Sequence, residues 1–270
     1  MSAAENGVTL ITGASGGIGA DLARVFARHG HRLALVARGG VRMATLADEI
    51  ERHGAGRPLI VEADVAAPGA ADALVAEMDR LGARVTHVVN NAGFGLIGRA
   101  SDLDRAEQVR MIDLNVRALT DLSLAFLPAL RASRGGLMNV ASTAAFYAGP
   151  GMAVYYATKA FVLSFTQALA HELKDDGVRV TALCPGPTKT DFFVRAGVAK
   201  SPFGMMPLAS SMSVAEAGYK GFMRGKTVVV PGLFNKLLTG TSGLQPRALS
   251  MRAIADMQMG RASAAQGDSS

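Results

Sequence analysis

The 270-residue chain contains one cysteine, no tryptophan and five histidines. Cys184 alone can form no internal disulfide, so the fold must rest on its core, and a reducing cytoplasm is the expected compartment. His29, His31, His53, His87 and His171 show no HxxxH spacing and have no cysteine pair beside them, so no metal is expected. No stretch reaches 18 uninterrupted apolar residues, and no membrane span is expected. The opening MSAAENG lacks the charged and apolar regions of a signal peptide. Charge of one sign is also missing as a run. The net charge is +6, but Arg24, Arg28, Arg105, Arg110 and Arg117 are scattered at surface spacing, without an RNP or zinc-finger pattern. This argues against a nucleic-acid partner and for a basic protein that handles small anions.

What the chain does have is glycine, at 31 residues, and short aliphatic runs. Strands are expected at Val8–Ile11, Leu33–Ala37, Leu59–Ala63, Val85–Asn90, Leu137–Ala141, Val178–Cys184 and Thr227–Val230. These runs are apolar throughout instead of alternating, as in parallel strands covered on both faces. Helical periodicity separates them. Ile18, Leu22, Val25 and Phe26 form one stripe, and Met43, Leu46, Ala47 and Ile50 another. A longer stripe runs through Met111, Leu114, Ala118, Leu122 and Ala125 until Pro128 bends or ends it, and a further one spans about Val154 to Lys174. This alternation predicts an α/β fold: one doubly wound Rossmann domain over residues 1–260, with a mostly parallel seven-stranded sheet and helices on both faces. Residues 261–270, RASAAQGDSS, are small and polar and are expected to form a disordered tail.

The first strand runs into Thr12-Gly13-Ala14-Ser15-Gly16-Gly17-Ile18-Gly19, and a helix follows at once. Free N–H groups and the helix dipole at such a turn favour a pyrophosphate. Gly13 would allow the tight turn, Gly17 close approach of phosphates, and Gly19 close packing of helix on strand. Ser15 and Ile18 belong to the same loop. The second strand ends Val36-Ala37-Arg38. An NAD site would hold a carboxylate there; Ala37 offers none, and Arg38, assisted by Ser15 and Arg42, suits a 2′-phosphate. NADP(H) is therefore the expected cofactor. Asp64 and Val65, just past the third strand, are placed to meet the adenine, although Asp64 also suits a turn.

Tyr155-Tyr156-Ala157-Thr158-Lys159 opens a helical stretch, which puts Tyr155 and Lys159 one turn apart on one face. An ammonium about 4 Å from a phenol contributes roughly 4 kcal/mol at an effective dielectric near 20, enough to lower its pKa by about three units. Tyr156 lies about 100° round the helix and reads as packing. Ser142 ends the fifth strand, and Asn90-Asn91-Ala92-Gly93 ends the fourth, both at the carboxyl edge where open α/β sheets bind ligands. Asn115 lies mid-helix, an unfavourable place unless its amide has a task. After the sixth strand, Cys184-Pro185-Gly186-Pro187-Thr188-Lys189-Thr190 forms a turn in which Thr188 is placed to hold a carboxamide.

Together these residues resemble the classical short-chain dehydrogenase/reductase family over about residues 6–235. The family's TGxxxGxG falls on Thr12, Gly13, Gly17 and Gly19, and its NNAG on Asn90, Asn91, Ala92 and Gly93. AVYYATKAFVLSFTQAL and VTALCPGPTKTDFF are similar to the DltE-like branch. The resemblance implies a catalytic tetrad of Asn115, Ser142, Tyr155 and Lys159. Tyr155 would exchange a proton with the carbonyl oxygen, Ser142 would polarise the carbonyl, and Lys159 would lower the phenol pKa and hold the nicotinamide ribose. Asn115 would hold a water linking Lys159 to solvent. Asn91, Ala92, Gly93, Pro185, Gly186, Thr188 and Thr190 would join the cofactor site. The family also implies a homodimer or homotetramer through the helices bearing Asn115 and Tyr155. Two departures are Ala118, where the family often has glycine, and the lack of a basic residue before Gly17.

The expected function is NADP(H)-dependent hydride transfer between nicotinamide and a ketone, an aldehyde or the corresponding alcohol. A catalytically silent NADP-binding sensor on the same fold is the alternative; such a protein usually loses the tyrosine or the lysine, and both are here. The segment of about 187–215, with Phe192, Phe193, Val194, Val198, Phe203, Met205, Met206, Leu208 and Met212, reads as an apolar lid facing Phe94, Phe146 and Met152. A hydrophobic substrate is expected from it.

Overall fold

The computed structural model describes residues 7–190, 208–244 and 246–259. Six principal strands are β1 (Gly7–Thr12), β2 (Arg32–Ala37), β3 (Leu59–Glu62), β4 (Arg84–Asn90), β5 (Gly136–Val140) and β6 (Arg179–Leu183). With β9 (Val228–Val229) they form a seven-stranded sheet of order β3-β2-β1-β4-β5-β6-β9. Every pair in it is parallel.

The uninterrupted apolar runs have a direct cause in the packing. On β2, Leu33 and Leu35 join the core cluster beneath α1 (Gly17–Arg28) and α2 (Gly40–Arg52), whereas Ala34 and Val36 join the opposite cluster. That second cluster holds Leu74 of α3 (Ala70–Arg80), Leu122 of α5 (Leu119–Ala125) and Leu169 of α7 (Ala153–Glu172). Successive side chains of a strand point to opposite faces, so burial on both sides demands apolar residues at every position. The two helical stripes beneath β2 land as expected: Leu22, Val25 and Phe26 are buried on α1, and Met43, Leu46, Ala47 and Ile50 on α2.

The stretch expected as one helix through Met111 and Leu122 is divided. Arg105–Ile112 is α4, Asp113–Ala118 winds as a π-helical turn, and α5 then follows. Pro128 stands in the first turn of α6 (Leu127–Ser133), where its missing N–H leaves no intrahelical bond unmade. Of the expected lid, residues 191–207 lie outside the described residues, as does the expected tail, 261–270. The lid's flanks β7 (Thr188–Lys189) and β8 (Ala209–Ser210) pair as a parallel ribbon. Met212 belongs to α8 (Ser211–Met223) and packs on the core beneath α1, so it is not a lid residue. Past β9 the chain forms α9 (Leu233–Gly240) and α10 (Arg247–Met259), which no motif marks.

The amino edge of the sheet is plugged by rings. His31 lies edge-on to Phe26 at 5.0 Å and to His87 at 5.3 Å, while Tyr219 stacks on His29 at 4.1 Å. The His31 ring also bonds the Thr9 and Tyr219 hydroxyls, both at 3.2 Å. Arg179 donates to His87 Nε2 at 3.1 Å. Burial lowers both imidazole pKa values, to about 3 for His87.

Candidate active site

Strand order reverses between β1 and β4, and the turns at their carboxyl ends are joined there. The Thr12 hydroxyl accepts from the Asn91 and Ala92 N–H groups, each at 3.1 Å. Asn91 Nδ2 donates back to the Thr12 carbonyl at 3.0 Å and the Gly13 carbonyl at 3.2 Å. Gly13 has φ +66°, and a Cβ there would stand 2.9 Å from the Ala92 Cα. A Cβ on Gly19 would strike the Gly13 carbonyl, so this glycine allows the helix to sit on the strand. Gly17 has φ +56°, and a Cβ there would stand 3.3 Å from the Thr190 methyl, so backbone conformation and the opposite wall select it. Gly16 has open space instead. Among the described residues no side chain caps the start of α1, and its first turn carries no acid. Its leading N–H groups thus remain available to an anion.

This turn, with Ser15 and Ile18, borders a cleft of about 1100 Å³ that runs along the carboxyl edge. Arg38 and Arg42 are exposed on its wall and make no ion pair among the described residues. Asp64 and Val65 line it as well. One Asp64 oxygen caps the following turn by accepting from the Ala66 N–H at 3.0 Å. Pro185, Gly186, Thr188 and Thr190 form the facing wall. The Thr188 hydroxyl donates to the Gly186 carbonyl at 2.8 Å, which leaves its oxygen to accept. The cradle, the uncapped helix and the unpaired guanidiniums fit a dinucleotide, with pyrophosphate at Gly13–Gly19.

The four residues of the expected tetrad converge at the other end. Ser142 caps the 3₁₀ turn Thr143–Phe146 by accepting from the Ala144 N–H at 3.1 Å, and its hydroxyl is also hydrogen-bonded to that of Tyr155. Lys159 is buried, donates to the Val140 carbonyl at 2.8 Å and sits 5.8 Å from the centre of the Tyr155 ring. Asn115 lies in the π-helical turn, a distortion frequent at functional sites. Its amide accepts from the Phe94 N–H at 3.1 Å and donates to the Phe94 carbonyl at 2.9 Å and the Thr158 hydroxyl at 3.1 Å. Asn115 therefore ties the β4 loop to α7, beside Gly93, where an added Cβ would stand 2.9 Å from its Oδ1 and 3.6 Å from Lys159 Nζ. That is the amide's task.

The electrostatics run against one expectation. Although part of Tyr155 opens into the cleft, burial pushes its phenol up to about 12, and the Ser142 bond offsets only part of that. Burial likewise lowers Lys159 to about 8, opposed by the nearby Cys184. Both groups have left water, and desolvation is the largest influence on each, while the ammonium is directed to the Val140 carbonyl.

The model of the short chain dehydrogenase family matches residues 7–199. The chain belongs to that family. Among similar proteins, sulfoacetaldehyde reductase 2 of Chromohalobacter salexigens is 38% identical over 194 residues, 70% of this chain and 76% of the relative. A short-chain dehydrogenase from Sphingobium yanoikuyae, solved with NADPH, is 35% identical with a TM-score of 0.77, covering 88% of this chain and 94% of that one. A bulky-bulky ketone specific alcohol dehydrogenase from Comamonas testosteroni is 31% identical with a TM-score of 0.73, covering 88% and 93%. This short-chain dehydrogenase is thus an oxidoreductase acting at a CH–OH or C=O group with a nicotinamide cofactor.

Other cleft residues had no motif to reveal them. Phe234, Asn235 and Leu238 of α9, and Ser250, Ala253 and Ile254 of α10, line it. Asn235 stands against Gly186, where a Cβ would come within 2.5 Å of its Nδ2. The only sequence signal was the spacing of Leu233, Phe234, Leu237 and Leu238. Phe94 and Met152 line the cleft as expected, but Phe146 packs against Leu119, Ala141 and Val162 instead.

Proposed function

We propose that this dehydrogenase is NADP(H)-dependent and interconverts a hydrophobic ketone or aldehyde with its alcohol, with Tyr155 as the general acid/base. The observation that carries the reading is the Tyr155 hydroxyl, paired with Ser142 and one helical turn before buried Lys159, at the carboxyl edge of the sheet.

When bound, the nicotinamide supplies or accepts the hydride. A phenol near 12 keeps its proton at neutral pH and is ready to give it to a carbonyl oxygen. Ser142, bonded to the same hydroxyl, would donate to that oxygen and orient it. Lys159, near 8, is mostly charged at pH 7 and stabilises negative charge as it develops at the phenol. Asn115 holds the Phe94 loop and Thr158 in place, and Thr158 in turn donates to the Tyr155 carbonyl at 2.7 Å.

Three observations support NADP(H). Ala37 occupies the strand end where an NAD site has a carboxylate, Arg38 and Arg42 stand beside it without an ion pair among the described residues, and the Sphingobium relative was solved with NADPH. For an apolar substrate, the surroundings of Tyr155 speak directly. Ile97, Tyr147, Met152, Tyr156 and Ile254 cluster there, and the Comamonas relative is specific for bulky ketones. We further place a homo-oligomer interface on α4, α5 and α7, where Val109, Ile112, Leu124 and Phe161 are exposed, and the protein in the cytoplasm.

The test is nicotinamide absorbance with NADPH or NADH and a set of carbonyl compounds. NADPH with a bulky aryl ketone or a medium-chain aldehyde should give the highest kcat/KM. A preference for NADH, or for a small sugar ketone, would overturn this reading.

A further inference from the structure

Helix α10 presents one stripe to the site. Ser250 and Ile254, four residues apart, line the cleft with Ala253, and Gln258, four residues on, continues the same face. Ile254 packs into the cluster of Tyr155, Tyr156 and Met152. Gln258 is 2% exposed, and its Nε2 donates to the Tyr156 hydroxyl at 2.9 Å. A buried amide that reaches across 102 residues to one phenol is a specific attachment.

Tyr156 is held from other sides too. Its ring fills the space where a Cβ on Gly149 would stand, 2.5 Å from its Cδ1. It also meets Tyr155 edge-on, with ring centres 6.3 Å apart. Tyr156 is therefore rigidly tied to the proton donor while its hydroxyl carries the C-terminal helix. Leu249 and Met251 of the same helix are exposed.

We propose that α10 is the substrate-side wall of the site, that Ile254 sets the bulk admitted beside Tyr155, and that Gln258 is a positioning residue that latches this wall to the Tyr155 helix through Tyr156. The inference rests on Tyr155 being the acid/base of a carbonyl reductase. Without the latch the wall opens more often, and the binding of a large substrate weakens before its chemistry does. Among the described residues Oε1 of Gln258 has no hydrogen-bond partner, so the polar part of the attachment is the one donated bond.

The test combines Gln258→Leu, which keeps the volume and removes the donor, with Tyr156→Phe, which removes the acceptor. A net hydrogen bond of this kind corresponds to about 2- to 12-fold in an equilibrium. KM for a bulky aryl ketone should rise by about that factor in either variant, with kcat changing less, and the double variant should be no worse than the singles. Amide hydrogen exchange in 247–259 should quicken in both variants. Ile254→Ala should shift selectivity towards larger ketones and Ile254→Phe towards smaller ones. Unchanged KM and unchanged exchange, or fully additive effects, would overturn the latch; an unmoved size preference would overturn the wall. Failure of the underlying reading looks different: Tyr155→Phe would keep its turnover, whatever happened at Gln258.

Discussion

Both edges of the sheet bury titratable rings, and in both burial moves the pKa far from its usual value. At the amino edge, His87 is pushed down to about 3; at the carboxyl edge, Tyr155 is pushed up to about 12. What separates the edges is where the polar atoms point. The imidazoles bond inward, to Thr9, Tyr219, Thr86 and Arg179, and rings close over them. Tyr155, Ser142, Arg38 and the uncapped start of α1 all border one cleft. A displaced pKa marks desolvation wherever it occurs. It marks a working site only where the group also meets space that a ligand can fill.

Acid titration should break the symmetry most strongly. His87 is neutral in the fold, whereas its unfolded value is near 6.5, so the unfolded chain binds more protons below that value. Its contribution is complete above about pH 6.5 and is lost as the pH falls towards 3. Between pH 7 and 4 it accounts for up to about 3 kcal/mol. Urea unfolding should show that loss in the wild type and a shallower acid limb in His87→Gln, with turnover retained at pH 7. An unchanged acid limb would remove His87 from this role.

A somewhat smaller effect is expected at the opposite edge. Arg38→Ala should weaken NADP(H) by about 10- to 150-fold, the equivalent of about 1.5–3 kcal/mol for a charge-assisted bond, and should scarcely alter NAD(H). Calorimetric titration with both cofactors decides it, and equal losses would contradict the assignment. Smaller still is the pH response of reduction. The proton donor near 12 stays protonated across the working range, whereas Lys159 loses its charge above about 8. kcat/KM for reduction should therefore be level up to about pH 8 and fall up to tenfold per unit beyond it. A rate that already falls well below pH 8 would point to a lowered phenol pKa, because a deprotonated phenol cannot donate, and a rate level through pH 9 would remove the Lys159 charge from this role.

The sheet was legible in the sequence because burial on both faces leaves continuous apolar runs such as Leu33–Ala37. The convergence of Ser142, Tyr155 and Lys159 on one cleft was legible because Tyr155 and Lys159 share a helix turn and Ser142 ends a strand. What escaped was set by contacts between distant residues. Asn115 sits in a π-helical turn and bonds Phe94, 21 residues away, which no local periodicity announces. The direction of the Tyr155 shift depends on burial by several elements, and a one-turn spacing reports only on Lys159. His29 and His31 in the turn after α1, and His87 in β4, carry no motif, and only the packing of these elements with Tyr219 of α8 brings them into one cluster. Helix α10 lacks both motif and strong amphipathic stripe; Gln258 acquires meaning only opposite Tyr156.

Adjacent tyrosines allow the most direct test of where the chemistry lies. Turnover of an aryl ketone and NADPH binding should be measured for Tyr155→Phe, Tyr156→Phe and the wild type. Loss of the proton donor should lower kcat by about 10²- to 10⁴-fold in Tyr155→Phe, with NADPH still bound, whereas Tyr156→Phe should keep most of its kcat. Retained kcat in Tyr155→Phe, or its collapse in Tyr156→Phe alone, would contradict the account.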